Sequence, residues 1–478
     1  MSLFEYKAYS KHPEINRQAE ALVKEMLSSR KRQPSKSSKA QYLKWMKVAV
    51  AGLYLIGGYQ KDSVQIPLNR NLYHGRTRRN ELYQPELLKC FKWLRDASYI
   101  EETKPAHQDK SGNWTPASYM LTRKWLEVAC HFSPYDERKR QIIKSIVRNP
   151  LLPVIELRKD GKRMRTNPHK DKWLWEKRIK VYNERLSYFD FRLANETLPP
   201  VTFAITRIFN DGSYDRGGRY YSAAQGFKSQ LRLHLTIDDE PVMEVDYRGL
   251  HPSLLYQRAG LPEPTNDAYT IDGYPRKLVK KAFNILINRK KPAPATKSLI
   301  FYLNKNKKEY VEDKHPIPPT IDTEYCTALE QAIRKHHKPI EHFFCTGVGL
   351  ELQNHDSLLC SHIFDYFIHK TETVVIAVHD SFIVKQSEMQ HLAEAIRYAE
   401  TVVAKSLKTP YREPLLEAER IKEIESYQED LVKYFGSIIS SKAIEEQSII
   451  SNLLPELELL EDIESLADED ADYANELQ

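Results

Sequence analysis

No apolar run in the chain approaches the roughly 20 residues that a membrane span needs, so no membrane partner is expected. The opening stretch, MSLFEYKAYSKHPEI, has no apolar signal region, and the expected location is cytoplasmic. Cysteine is scarce. Cys90, Cys130, Cys326, Cys345 and Cys360 are an odd number without CxxC spacing, which argues against both a disulfide framework and a cysteine zinc site. They read as reduced thiols. Internal repeats are absent as well. From Pro455 to Gln478 there is no Lys or Arg, while ten residues are Asp or Glu.

What is present is length, a mixed surface and a basic body. At 478 residues the chain exceeds one ordinary core, so two or three domains are expected. Hydrophobic residues make up 41% of it, with charges of both signs, as in a globular protein. The net charge of +7 becomes +17 for residues 1–454 once the ten acidic residues of the tail are set aside. A basic body with an acidic tail suits a polyanionic partner. Charge alone leaves a merely solvated surface open.

Residues 1–38 are expected to form a flexible basic arm, because SSRKRQPSKSSKA is polar, basic and broken by Pro34. Residues 39–135 carry an apolar-rich helix, a basic connection (RNLYHGRTRRN), a second helix (QPELLKCFKWLRDASYI) and two alternating segments around a Lys-Ser-Gly-Asn turn. Helices followed by a β-hairpin resemble a winged helix-turn-helix, in which Lys89, Lys92 and Arg95 would meet DNA. A structural role for that unit stays open. Residues 136–200 read as a basic linker or clamp, with RKDGKRMRTNPHKDK around an Asp-Gly turn. Residues 201–450 mix aromatic and β-branched segments with helices, ending in C-terminal helices, and 451–478 form the acidic tail.

The chemistry concentrates in two segments. PVMEVDYRGLHPSLLY puts Asp246 after a short hydrophobic strand and before a helix start, and ETVVIAVHDSFIV puts Asp380 between two apolar runs, as a hairpin turn would. Carboxylates on adjacent strands can share two Mg²⁺ ions about 3.5–4 Å apart. Each Asp alone is more often a turn residue or helix cap.

VHDSF and VDYRGLHP resemble the two palm motifs of family A DNA polymerases and, more closely, of single-subunit phage and mitochondrial RNA polymerases. The resemblance implies that Asp246, Asp380 and the Tyr247 carbonyl bind metal, with His379 beside them at the nucleic acid. NDGSYDRGGRYYSAAQGF is similar to the Asp-x-x-Gly-Arg-x-Tyr element before the palm, which implies that Asp215, Arg219 and Tyr220 lie near the template or primer. YPRKLVKKAFNILINRK resembles the fingers helix, whose matching positions are Arg276, Lys280, Asn284 and Asn288. Four-residue steps put these on one helical face. Arg276 and Lys280 would bind triphosphate, with Lys280 also a general acid, while Lys277 and Lys281 form a competing register. Asn stands at both ring positions of the family pattern, and Arg289 replaces its Gly. GVGLELQNHDSLLC supplies Gln353, His355 and Asp356 for the primer terminus or template, or simply starts a helix.

The resemblance covers residues 205–385 and implies an α+β fold: a right-hand palm, an antiparallel sheet with helices, and compact helical fingers behind a winged-helix-like N-terminal domain. Five residues after Asp246, where family A DNA polymerases carry a sugar-excluding Glu, stands His251, able to crowd or to hydrogen-bond a 2′-hydroxyl. DNA versus RNA product is therefore open. The expectation is a two-metal nucleotidyltransferase using Mg²⁺ or Mn²⁺, nucleoside triphosphates and a DNA or RNA template-primer, recruited to DNA of a mobile element, phage or defence system. The alternatives are a non-catalytic replication initiator with a degenerate palm, a template-independent terminal transferase and a two-metal nuclease.

Overall fold

A computed structural model of the chain describes residues 2–3, 8–28, 30, 33–58, 64–66, 85–108, 114–115, 117–129, 137–150, 152–193, 196–227, 229–262, 267–291, 294–305, 307–310, 317–411 and 416–418. The basic connection at 70–80, the Lys-Ser-Gly-Asn turn, Cys130 and the acidic tail lie outside the described residues.

Helix and sheet are mixed throughout. Strands β1 (Ser2–Leu3) and β2 (Ala8–Tyr9) precede helices α1 (Pro13–Ser28) and α2 (Lys36–Gly58). Then come β3 (Val64–Gln65), α3 (Pro85–Asp96), β4 (Ile100–Lys104), β5 (His107–Gln108), β6 (Trp114–Thr115) and β7 (Ser118–Leu121). Helices α4 (Arg123–Val128) and α5 (Glu137–Lys144) and strand β8 (Val147–Arg148) complete this part. A sheet of order β1-β3-β7-β4 lies with α2 and α3, and β4 pairs with β7 in antiparallel register. The stretch expected as a flexible arm contains α1. Its Ile15, Ala19, Leu22, Val23 and Met26 recur at helical spacing and are buried, a stripe that the neighbouring basic residues obscured. This first core runs from Ala8 to Ile146, with Val201 added.

The second core takes residues from Val154 to Val403. It opens with β9 (Ile155–Lys159), β10 (Lys162–Met164), α6 (Lys172–Arg185), β11 (Phe191–Leu193), β12 (Glu196–Leu198), β13 (Thr206–Phe209) and β14 (Gly217–Tyr221). Residues 136–200 thus carry more than a linker's structure: Ile155, Leu157, Ile179, Tyr182 and Phe191 are buried in this core. After α7 (Ser229–Arg232) come β15 (Leu235–Ile237), β16 (Glu240–Tyr247), α8 (Leu250–Arg258), α9 (Arg276–Asn288), α10 (Thr296–Lys305) and α11 (Thr323–His336). Helix α12 (Gly349–Lys370), the hairpin strands β17 (Ile376–Val378) and β18 (Ser381–Lys385), α13 (Met389–Leu407) and β19 (Leu416–Ala418) close it.

Two sheets shape this body. One has the order β10-β9-β13-β14, with β9 and β13 parallel. The other runs β12-β11-β15-β16-β18-β17, and β19 pairs with β16 as well. One edge of β16 is therefore filled by β18, and the other by β15 near its start and β19 near its end. Helix α9 shows how sequence sets orientation here. Leu278, Val279, Ala282, Phe283, Ile285, Leu286 and Ile287 are buried, while Arg276, Asn284 and Asn288 are half-buried and Lys280 is exposed. Each buried Leu, Ile, Val or Phe contributes roughly 1.5–3 kcal/mol, so the register of the basic side is fixed by the apolar one.

Among the described residues no helix is long and apolar enough to cross a membrane. Cys90, Cys326, Cys345 and Cys360 are buried free thiols, each with its pKa pushed up by burial.

Candidate active site

Strand β16 alternates between its faces, so Val245 and Tyr247 are buried and Asp246 between them is half-buried on the other side. Val378 pairs with Ser381, leaving His379 and Asp380 as a two-residue turn between β17 and β18. His379 has φ +57°, a left-handed backbone that a side chain holds only under strain of roughly 1–2 kcal/mol. The ladder sets Asp246 opposite Ser381, and the Tyr247 N–H donates to the Asp380 carbonyl at 3.3 Å. Asp246 on β16 and Asp380 in the turn that enters β18 are thus diagonal neighbours, both half-buried. After Asp246 the chain leaves the strand through Gly249, whose φ of +64° caps α8.

A third carboxylate escaped sequence reasoning. Glu244 lies two residues before Asp246 on the same face and is buried. Arg232 grips it through Nε at 3.0 Å and Nη2 at 2.7 Å, and the Ser381 hydroxyl also donates to it. The only prior signal was its spacing of two from Asp246.

Tyr269 joins the Asp pair to the basic helix. It is buried, and burial first, then the charge of Asp380 and more weakly those of Asp267 and Asp246, raise its hydroxyl pKa, with Arg276 acting against them. The Arg276 guanidinium lies 5.6 Å from its ring centroid and the Lys280 ammonium 6.0 Å. The two cations flank the ring, and the charges of both carboxylates reach its hydroxyl. Arg276 also makes a two-pronged pair with Asp267, at 2.7 and 3.0 Å. Burial would raise the Asp267 carboxyl, but hydrogen bonds from Arg276 and Thr270 hold it below its usual value. Behind Tyr269, buried His337 donates from Nε2 to the Ala268 carbonyl at 2.8 Å.

Further along α9 the Asn288 side chain is used within the protein. Asn288 donates to the Asn284 carbonyl at 2.9 Å. A Cβ on Gly349 would come 2.0 Å from the Asn288 side-chain oxygen, so Asn288 fills the space at the start of α12 that only glycine leaves.

A polar ladder ties the β13–β14 hairpin to α12. Arg219 donates to Asp356 at 3.0 and 2.7 Å, and His251 Nε2 lies 3.3 Å from both groups. Burial opposes ionisation of Asp356, but the Arg219 charge and the His251 hydrogen bond hold its carboxyl below the ordinary range. Buried Tyr220 meets the Ser361 hydroxyl at 2.8 Å, and Asn354 donates to the Tyr214 and Gly217 carbonyls. Arg207, which sequence reasoning passed over, is fully buried among the rings of Trp175, Phe209 and Tyr220 and donates to Ser357 at 3.0 Å. Gly218 lets this hairpin close, since a Cβ there would meet Phe209 at 2.7 Å. Gln353 and His355 are buried in α12, while Asp215 is exposed at the hairpin. Lys89, Lys92 and Arg95 lie away from this region, on α3 in the first core; Lys89 pairs with Glu86 and Arg95 with Asp96.

Among the described residues no group of three or more His, Cys, Asp or Glu gathers as a metal cage. Half-buried carboxylates such as Asp246 and Asp380 are of the donor type that hard divalent cations take, with waters and substrate phosphates supplying further oxygens.

No family model matches the chain, and neither does any curated protein. Among solved structures the chain is similar to the POL domain of Pol1 from M. smegmatis, in complex with DNA primer-template and dNTP. The identity is 10% and the TM-score 0.30, over 86% of this chain and 66% of that one, just under two thirds of its length. A likeness this loose carries no argument about fold or function.

Proposed function

We propose that the chain is a two-metal nucleotidyltransferase of polymerase type, with Asp246, Asp380 and the Tyr247 carbonyl as the protein ligands of Mg²⁺ or Mn²⁺. One observation carries the reading: Asp246 on β16 adjoins Asp380 at the β17–β18 turn, and the charges of both reach Tyr269, whose ring Arg276 and Lys280 flank. Negative oxygens that hold cations, set beside positive groups that hold phosphates, are what transfer of a nucleotidyl group requires. The bound cations would activate a hydroxyl and neutralise the departing pyrophosphate. Lys280 meets the phosphates and is the group that returns a proton to them. Arg276 reaches the phosphates only by exchanging Asp267 for them. His251, steadied by Asp356 and Arg219, stands as the residue that senses the sugar. In the first core, α3 and the β4–β7 hairpin behind it support a winged-helix reading that recruits DNA.

The test is extension of labelled primers by purified protein with Mg²⁺ or Mn²⁺ and either NTPs or dNTPs. Asp246→Asn and Asp380→Asn should each lower the rate by at least about a thousandfold, at unchanged melting temperature. Extension that survives both substitutions would sink the assigned centre. A non-catalytic, DNA-binding reading draws on one observation, the engagement of Arg276 by Asp267. It predicts no extension under any condition together with retained DNA binding.

A further inference from the structure

The surface of α6 and the β9–β10 hairpin has no part in the centre described above. Residues 158–180 hold ten Lys or Arg against three Asp or Glu. Several of these serve the fold: Arg158 and Arg163 pair with Glu156, and Arg178 with Asp365. Lys162, Arg165, Lys177 and Lys180 are exposed. The two tryptophans of KWLWEK part company. Trp175 turns inward, stacked on His169 with centroids 4.7 Å apart and beside Phe209. Trp173, two residues earlier and on the other side of the helix, is 65% exposed, and Tyr188 just past the end of α6 is 74% exposed.

Positions 173, 177 and 180 fall on one helical face. The Lys172 ammonium donates to the Thr166 hydroxyl at 2.6 Å, holding the segment that follows Arg165 against the start of α6. A bare ring on the helical face of Lys177 and Lys180, with Leu174 and Val181 of the same helix also exposed, costs solvation without improving the core. We propose that this face binds single-stranded nucleic acid. Trp173 stacks on an unpaired base, and Lys177, Lys180, Lys162 and Arg165 meet the phosphates around it. A duplex would use the cations but has no free base face to offer the ring, which is why the exposed tryptophan favours a single strand. The proposal stands apart from the Asp246–Asp380 centre, and its test needs neither metal nor nucleotide.

The test is fluorescence anisotropy of the full chain with labelled dT20 and with a 20-base-pair duplex. Trp173→Ala should weaken dT20 binding about tenfold, the scale of one lost base–ring stack, and change duplex binding much less. Trp173→Phe should restore most of the lost affinity. Lys177→Ala and Lys180→Ala should each lower the salt slope for dT20 by about 0.7. Unchanged dT20 binding by Trp173→Ala, or an equal loss on dT20 and duplex, overturns the proposal. So does a synthetic peptide of residues 455–478 that binds more tightly than dT20 and depends on Trp173, because the face would then be a dock for an acidic segment.

Discussion

His337 makes the region behind Tyr269 sensitive to acid. The ring is buried, with Nε2 donating to the Ala268 carbonyl and Nδ1 3.3 Å from the Tyr256 hydroxyl. A carbonyl only accepts, so the neutral ring carries its proton on Nε2 and takes a hydrogen bond from Tyr256 on Nδ1. Burial first, and the neighbouring His336 more weakly, lower its pKa from 6.5 to about 4. The folded state therefore resists a proton that the unfolded chain accepts at pH 6.5, and stability falls as pH drops from about 6.5 toward 4. The full gap corresponds to about 3 kcal/mol at about 1.4 kcal/mol per pH unit. About 2 kcal/mol of it is already lost at pH 5. Urea unfolding of wild type and His337→Gln at pH 8 and pH 5 isolates this one ring among 16 histidines. The acid-induced loss should be about 2 kcal/mol smaller in the variant, whatever its stability at pH 8. An equal loss in both proteins refutes the assignment of a buried, neutral His337.

Asp356→Asn removes the charge that pairs with the Arg219 guanidinium, 12% exposed, and should destabilise the second core by about 3–5 kcal/mol. In thermal melts the double variant Asp356→Asn with Arg219→Gln should lose less than the single one; a deeper loss would remove the ion pair from the explanation. Gly349→Ala drives a Cβ into the Asn288 amide and should cost about 1–3 kcal/mol. Adding Asn288→Ala clears that space, so a double-mutant cycle in urea should show coupling of at least about 1 kcal/mol, and additive losses would argue against the contact.

Local signals in the sequence were readable because they concern neighbours along the chain. The apolar runs on either side of His379 and Asp380 lie in the structure as β17 and β18, and the alternation before Asp246 lies there as β16. The four-residue spacing of Arg276, Lys280, Asn284 and Asn288 did put them on one side of α9, since the apolar positions between them dictate which side is buried. Partners distant in sequence left no such trace. His251 meets Asp356 across 105 positions, Arg207 meets Ser357 across 150, and Asp267 takes up the Arg276 guanidinium from outside the helix. Of these, His251, Asp356 and Arg276 had looked available for a ligand. The helix α1 was missed for a different reason: its buried stripe is interrupted by charged residues, and the basic segment after it dominated the composition.

The last described strand has a consequence for how the protein is made. Glu417 pairs with Asp246 across 171 positions, and β19 covers the edge of β16 that β18 leaves bare. The ribosome must therefore carry synthesis through residue 418 before both sides of the Asp246 strand are covered. Pairing at such separation is slow to form, so a nascent chain displays its basic body well before its central strand is enclosed.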